Sequence, residues 1–323
     1  MFKSAVLCVG SATVDTFLTI ESPFSSIQLG DKVLVQSIEK HSGGGATNSA
    51  AAFSKLGLKV KVLTKLGNDH DADFILKELK KYKVKNVCRH QSKRSTDAAT
   101  ILSSLKDKDR IIFVHKGASA DLSVNDFKTA ALKVQWIYLA SLMGKSFQVA
   151  RYIVKHKKEK VKLLFNPSLY LAKRGKKSLQ AILKATEILV LNKEEAQALL
   201  KNDSENFIVL LKRLQHCGPK IVIITDGSKK MWALTEEYIY SLTPPDVKVV
   251  CSTGAGDAFT AGFLAGIIKN YSFADALKLG QVNATSVIQH IGAKNKLLTE
   301  NEAKDLIKKY NLKVAKIKIT KNK

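Results

Sequence analysis

Two segments near opposite ends of the chain join permissive backbone to polar groups suited to anion and hydroxyl chemistry. The first is Ser252-Thr253-Gly254-Ala255-Gly256-Asp257-Ala258-Phe259, which follows the strand-like run Val247 to Val250 and opens a long helical pattern. Small residues there let backbone approach a ligand closely, and the first N–H groups of a helix have no intrahelical partner, so they point at an anion. A carboxylate beside bound phosphate is useful as a general base, taking the proton from a hydroxyl that attacks a phosphoryl group. Asp257 also suits a plain helix start, where an acid complements the macrodipole; the residues alone leave both open.

The second segment is Gly43-Gly44-Gly45-Ala46-Thr47-Asn48-Ser49-Ala50-Ala51. Glycines at a helix entry permit close ligand approach, and Asn48 carries both a donor and an acceptor, which suits a diol. A glycine turn required only for helix–sheet packing has the same appearance.

The elements that must position these segments form an alternating pattern. Short β-branched runs at 5–10, 60–66, 136–140, 161–165, 188–191 and 221–225 predict buried strands, and helical patterns lie between them, at 46–56 and 69–81 among others, the latter with Phe74, Leu76 and Leu79 among its apolar positions. That rhythm predicts an α/β fold with a doubly wound, mostly parallel sheet flanked by helices. From 256 to 289 the pattern predicts two apolar, small-residue helices separated near 270–273. Residues 13–42 and 87–114 alternate apolar and polar instead, which predicts antiparallel strands outside the main sheet and hence a small β-sheet lid over a site at the strand ends. The expected organisation is one domain over 1–312, with the lid from about 13–42 and 87–114, and a Lys-rich tail at 313–323 that ends in a fraying strand.

Composition narrows the class. Lys and Arg number 53 against 28 Asp and Glu, a net charge of +25. The excess is lysine spread along the chain without aromatic interleaving, whereas nucleic-acid readers cluster charge and favour Arg forks, so nucleic acid is not the expected partner. Cys8, Cys88, Cys217 and Cys251 form no CxxC pair, which argues against a zinc site and a disulfide framework and suits a reducing cytoplasm. The apolar run 258–268 is about half the ~20 residues of a membrane span, and the first ten residues carry no signal-cleavage pattern. A cytoplasmic protein with no membrane partner is expected.

Together the two segments resemble the signatures of the PfkB (ribokinase-like) carbohydrate kinase family: Gly43 to Asn48 resembles the N-terminal one, and Thr253-Gly254-Ala255-Gly256-Asp257 the C-terminal one. Similar landmarks run from Gly10 to about Ala293. The resemblance implies ATP-dependent phosphorylation of a hydroxyl on a sugar or nucleoside, with Mg2+. It implies that Asp257 is the base and that Gly254, Ala255 and Gly256 form an anion hole. It further implies that Asp15, in Gly10-Ser11-Ala12-Thr13-Val14-Asp15, binds substrate hydroxyls with Gly43, Gly44 and Asn48.

Asn192 and Glu195 resemble the family's Asn-x-x-Glu motif, which helps place magnesium and phosphate without a direct protein ligand set; unaided, the stretch reads as a helix N-cap with a capping box. Thr225 and Gly227, in Thr225-Asp226-Gly227-Ser228, resemble the turn that touches nucleotide phosphates, and Asn283 falls where the family's last helices line the adenine pocket. A homodimer through the lids is also implied. Two positions depart. Cys251 replaces an acid that helps bind a monovalent cation in ribokinase-like members, so weak or no potassium activation is expected, the thiol reading otherwise as a small buried filler. Lys230 stands where glycine is common after the Thr-x-Gly turn. Lys116, in His115-Lys116-Gly117-Ala118-Ser119, faces an acidic sugar such as a keto-deoxy-gluconate or else lies solvated on the surface.

Overall fold

The computed structural model describes residues 5–319. In chain order the elements are β1 (Val6–Val9), β2 (Thr13–Ile20), β3 (Ser37–Gly43), α1 (Gly45–Lys55), β4 (Val60–Leu63), α2 (His70–Lys81), β5 (Lys85–Asn86), β6 (Asp97–Ser104), β7 (Asp109–His115), β8 (Trp136–Leu139), α3 (Phe147–His156), β9 (Lys162–Phe165) and α4 (Leu169–Ala172). There follow α5 (Gly175–Ala185), β10 (Ile188–Asn192), α6 (Lys193–Leu200), α7 (Phe207–Gln215), β11 (Ile221–Asp226), β12 (Lys229–Leu234), β13 (Tyr238–Leu242), α8 (Ala255–Ile268), α9 (Phe273–Val287), α10 (Glu300–Lys309) and β14 (Val314–Lys318).

Ten strands form the main sheet in the order β14-β13-β12-β11-β10-β9-β8-β1-β4-β5. Pairings from β5 across to β11 are parallel, and those among β11, β12, β13 and β14 are antiparallel. In β1 the alternation of side chains sends Val6 and Cys8 to one face and Leu7 and Val9 to the other, all fully buried. A strand buried on both faces reads as a continuous apolar run, which is why these strands were legible. The chain runs from β1 outward to β4 and β5, then returns to the opposite side of β1 at β8. Such a switch in winding opens a crevice at the carboxyl ends of the strands.

Helices α8 and α9 pack through small residues. A Cβ added at Gly262 would stand 2.8 Å from the Cα of Gly280, and one at Gly266 would stand 2.8 Å from the Cα of Ala276. A helix apolar all round is a buried one, and α8 buries every residue from Ala258 to Gly266.

Several expectations are corrected. The buried face of α2 is Ala72, Ile75 and Leu79, while Phe74 and Leu76 are exposed. Residues 247–250 form no strand, and Val249 and Val250 are half exposed. The free edge of β13 is taken by β14, from Tyr238 paired with Lys318 to Leu242 paired with Val314, so 247–250 has no sheet partner. The Lys-rich tail therefore contributes a paired strand as far as Lys318, and its last residues lie outside the described ones.

The small sheet has the order β3-β2-β6-β7. Its central pair, β2 with β6, is parallel, against the antiparallel expectation, because the two hairpin-like units enter it side by side. Residues 87–96 run outside it as irregular chain.

Candidate functional site

A cavity of about 720 Å3 opens at the switch point. Its floor comes from the strand ends: Ser11 after β1, Ala140 after β8, Asn166 after β9, Asn192 ending β10 and Thr225 in β11. Val114 and Lys116 reach it from the small sheet, and Gly45, Gly254, Gly256 and Asp257 bring both glycine-rich segments to it.

Helix α8 begins on Gly254, whose φ of 81° is the left-handed region that favours glycine. A Cβ there would stand 2.7 Å from the Cα of Ala293, so the turn is closed to any side chain. Among the described residues no side chain caps the helix. Its first-turn N–H groups are therefore left for an anion. Gly256 differs from Gly254: a Cβ on it would meet nothing within 4 Å.

Asp257 lies in that first turn and is half-buried. Its Oδ2 accepts from Asn48 Nδ2 at 2.9 Å, and its Oδ1 lies 3.2 Å from the Tyr138 hydroxyl. Burial pushes the carboxyl up to about 6, against the opposing pull of Asn48, Tyr138, Lys294 and Ser49. A group with that affinity is ionised at neutral pH and still accepts a proton readily, which is what a general base requires.

The other glycine-rich segment is shaped by Gly43 and Gly44. A Cβ on Gly43 would overlap the Asp15 carboxylate, and Gly44 has a φ of 93° with its would-be Cβ 2.6 Å from Ser11 O. Glycine at both positions thus lets β3 seat against Asp15 and lets α1 start beside β1. Asn48 is 4% exposed, and its Oδ1 is a buried acceptor without a partner among the described residues. Buried polar atoms are normally paired, so this one suits a ligand hydroxyl. Asp15 is buried as well; burial raises its pKa, opposed by the Thr13 hydroxyl and the charges of Lys294, Lys116 and His41.

Asn192 and Glu195 both line the cavity and also form the capping box of α6: Asn192 Oδ1 accepts from Glu195 N at 2.8 Å, and Glu195 Oε2 accepts from Asn192 N at 2.9 Å. The local role and a role in the cavity coexist. Burial pushes Glu195 up to about 7, the backbone bond from Asn192 opposes it, and the charges of Asp257 and Glu194 add to the rise. Two carboxylates facing one cavity, with an uncapped helix start beside them, are a donor set that accommodates a cation and phosphate together. Among the described residues no cluster of three or more His, Cys, Asp or Glu side chains is placed to hold a metal by itself.

Thr225 lines the cavity, whereas Gly227 sits exposed in the β11–β12 turn outside it. Asn283 is fully buried away from it: Nδ2 donates to Ala258 O at 3.0 Å, and Oδ1 accepts from Leu298 N at 3.2 Å. Its amide ties α8 to the segment before α10. Lys116 is partly exposed at the cavity, and its Nζ stands 3.5 Å from the buried Asp97 carboxylate. Lys230 projects over the Trp232 ring, and Cys251 is only half-buried.

Sequence reasoning missed three residues. Tyr138 reads as one more apolar strand position, although a buried phenol needs a partner. Asn166 bonds Tyr138 and, through Nδ2, Val190 O at 2.8 Å; an Asn-Pro step at a strand end was its only signal. Lys294 is 5% exposed, and its Nζ donates to Ser42 O at 2.7 Å, to Ser42 Oγ and to Glu78 Oε2 at 3.0 Å. Nothing in Gly292-Ala293-Lys294-Asn295 distinguishes it from the surface lysines.

Comparison with known proteins agrees with this geometry. The family described as pfkB family carbohydrate kinase matches residues 3–300. An uncharacterized sugar kinase of Archaeoglobus fulgidus is 28% identical over 250 residues, covering 76% of this chain and 97% of its own length. A nucleoside kinase of Methanocaldococcus jannaschii is 25% identical over 321 residues, covering 95% and 98%. The structure of Arabidopsis thaliana ribokinase complexed with ribose and ATP superposes with a TM-score of 0.78 at 22% identity, covering 94% and 99%, which establishes the shared ribokinase-like fold. No helix among the described residues is long and apolar enough to cross a membrane. With the match spanning both glycine-rich segments and every strand of the crevice between them, this chain belongs to the pfkB family of carbohydrate kinases, phosphotransferases that act on hydroxyl acceptors.

Proposed function

We propose that the chain transfers the γ-phosphoryl group of ATP to a hydroxyl of a sugar, with Asp257 as general base and the Gly254–Gly256 start of α8 as anion hole. The observation that carries this reading is a carboxylate of raised proton affinity in the first turn of an uncapped helix, held by Asn48 from the other glycine-rich segment. Asp257 takes the proton of the attacking hydroxyl. The amides of α8 stabilise charge on the transferring group. Asp15, Gly43, Gly44 and Asn48 hold the acceptor through its neighbouring hydroxyls, the Asn48 Oδ1 accepting one of them. Thr225 faces the nucleotide side.

Magnesium, when bound, screens the phosphate charge. Asn192 and Glu195 would hold it through the phosphates, and its charge would return Glu195 to the ionised form. The small sheet acts as a lid that excludes competing water. The separated free cysteines suit a reducing cytoplasm.

A nucleoside acceptor is the second reading. It draws on the nucleoside kinase relative and on the apolar stretch of cavity wall at Leu142, Met143 and Tyr170, which suits a base.

ADP formation from Mg-ATP, measured across sugars, sugar acids and nucleosides with Asp257→Ala as control, decides between them. A signal on one acceptor that disappears in the variant identifies the substrate; nucleotide binding without turnover on any acceptor counts against both.

A further inference from the structure

The Tyr138 hydroxyl has one hydrogen and two acceptors, a carboxamide oxygen and a carboxylate oxygen. It lies 2.9 Å from Asn166 Oδ1 and 3.2 Å from Asp257 Oδ1. The Asn166 amide cannot turn its nitrogen toward Tyr138 without losing the bond from Nδ2 to Val190 O at 2.8 Å. Asn166 therefore presents an acceptor to Tyr138 whatever the state of Asp257. Tyr138 is fully buried at 0% exposure. Its side chain is packed edge-on against Phe53, with ring centroids 6.0 Å apart. The ring is thus fixed, and the hydroxyl hydrogen is the part free to move, by rotation about the Cζ–O bond.

We infer that Tyr138 is a positioning residue whose hydrogen follows the proton on Asp257: it donates to Asp257 Oδ1 while the carboxylate is ionised, and turns to Asn166 Oδ1 once Asp257 is protonated. No covalent bond to the phenol forms or breaks. The acceptor hydroxyl loses its proton to Asp257, and the phenol hydrogen exchanges one acceptor for another. In the protonated state the new Asp257 O–H can use the lone pair that Tyr138 then presents. In each state the buried phenol hydrogen has an acceptor, so the change of state leaves no unpaired donor on Tyr138 in a low-dielectric site. This inference rests on the assignment of Asp257 as the base.

Other groups also act on Asp257: Cys8 on β1, Glu195 on α6, and Lys294 in the segment between α9 and α10, besides the Asn48 and Ser49 side chains on α1. Among the described residues none of these side chains hydrogen-bonds to Asn166, so a response to Asn166 that requires Tyr138 isolates the switch.

The test reads Asp257 directly and needs no substrate. Protein labelled with 13C at the aspartate carboxyl is titrated by NMR, the Asp257 signal being the one lost in Asp257→Asn. Tyr138→Phe deletes only the hydroxyl and should raise the titration midpoint by about one pH unit, a tenfold change in proton affinity, because the charge-assisted bond lost by the ionised form is stronger than the neutral one lost by the protonated form. Asn166→Leu, or Asn166→Ala where leucine does not fold, should lower the midpoint, because the protonated form loses the acceptor that Tyr138 turns to. In the Tyr138→Phe background the same Asn166 change should have no effect. An unchanged or lowered midpoint in Tyr138→Phe, or an Asn166 effect of full size in its absence, overturns the switch. Failure of the assignment of Asp257 as base would show separately, as turnover retained in Asp257→Asn.

Discussion

Asn48 and Asp257 stand 209 positions apart in the chain and share a hydrogen bond of 2.9 Å from Nδ2 to Oδ2. That bond joins the first turn of α1 to the first turn of α8 across the carboxyl end of β1, so the two glycine-rich segments are held in one register. Substituting Asp257 with Asn should leave the fold intact and lower turnover by ~10² or more, the usual scale for a general base. Single-turnover kinetics with circular dichroism on the same sample would check it, and wild-type turnover would remove Asp257 from the mechanism.

The raised pKa of Asp257 has a consequence for stability as well as rate. Its folded value, about 6, lies above the ordinary 3.8, so in that window the folded chain binds more protons than the unfolded one. Stability from this group is complete below the ordinary value and is lost as pH rises through the folded one. Activity moves the other way, falling as pH drops through about 6 and the base is neutralised. Asp257→Asn should therefore melt a few degrees higher than the parent at pH 8 and at the same temperature near pH 3.5, measured by calorimetry.

Glycine at 254 and at 256 serves different ends. Gly254→Ala places a side chain on a left-handed residue against the Ala293 backbone, and it should cost stability and nucleotide binding together. Gly256→Ala meets open space and removes unfolded-state freedom, so stability should hold or rise by ~0.4–1 kcal/mol. Its methyl nevertheless borders the cavity, and the Michaelis constant for ATP should rise. Urea denaturation and steady-state kinetics on both variants separate the two effects.

Lys294 is the buried charge that ties this corner together. All three of its donors are used, by Ser42 and Glu78, and it also acts on Asp15 and Asp257. Lys294→Met leaves Glu78 partly buried and unpaired, and should cost about 3–5 kcal/mol. Adding Glu78→Gln should recover a large part of that loss in urea denaturation. An additive double variant would mean that the two side chains do not work as a pair.

Much of the frame was legible because its physics is local. Buried parallel strands announce themselves as apolar runs, as in Val6 to Val9, and the small residues before the apolar run from Ala258 announce the glycine-led helix start at 254–257. What escaped depends on long-range packing. The stretch at 247–250 has every local mark of a strand and fails to become one because β14 takes the edge of β13. Lys294 looks like any other lysine until Ser42, from a strand 252 positions away, accepts its proton donors. Asn283 stands where a pocket residue was expected, but both ends of its amide are used inside the protein.

Cys251 makes a prediction about ions. A thiol is a poor ligand for a hard cation, and the half-buried Cys251 stands where an acid would help hold one. Turnover should be the same in potassium chloride and in a large organic cation chloride at fixed ionic strength. Cys251→Asp should introduce a potassium response if this turn is otherwise competent to hold the ion. A several-fold potassium response in the parent would mean that other oxygens at this turn suffice.

The lid makes the last prediction. Strand β7 is the outer edge of the small sheet, with every residue exposed, including the consecutive Ile111, Ile112, Phe113 and Val114. Exposed apolar edges invite pairing, and proteins cover or charge them. The proposed cover is the same edge of a second copy, so sedimentation at micromolar concentration should show a dimer. Phe113→Lys, on the outer face and away from the cavity lining, should shift it toward monomer without unfolding the chain. A monomeric parent would overturn the pairing of lids through this edge.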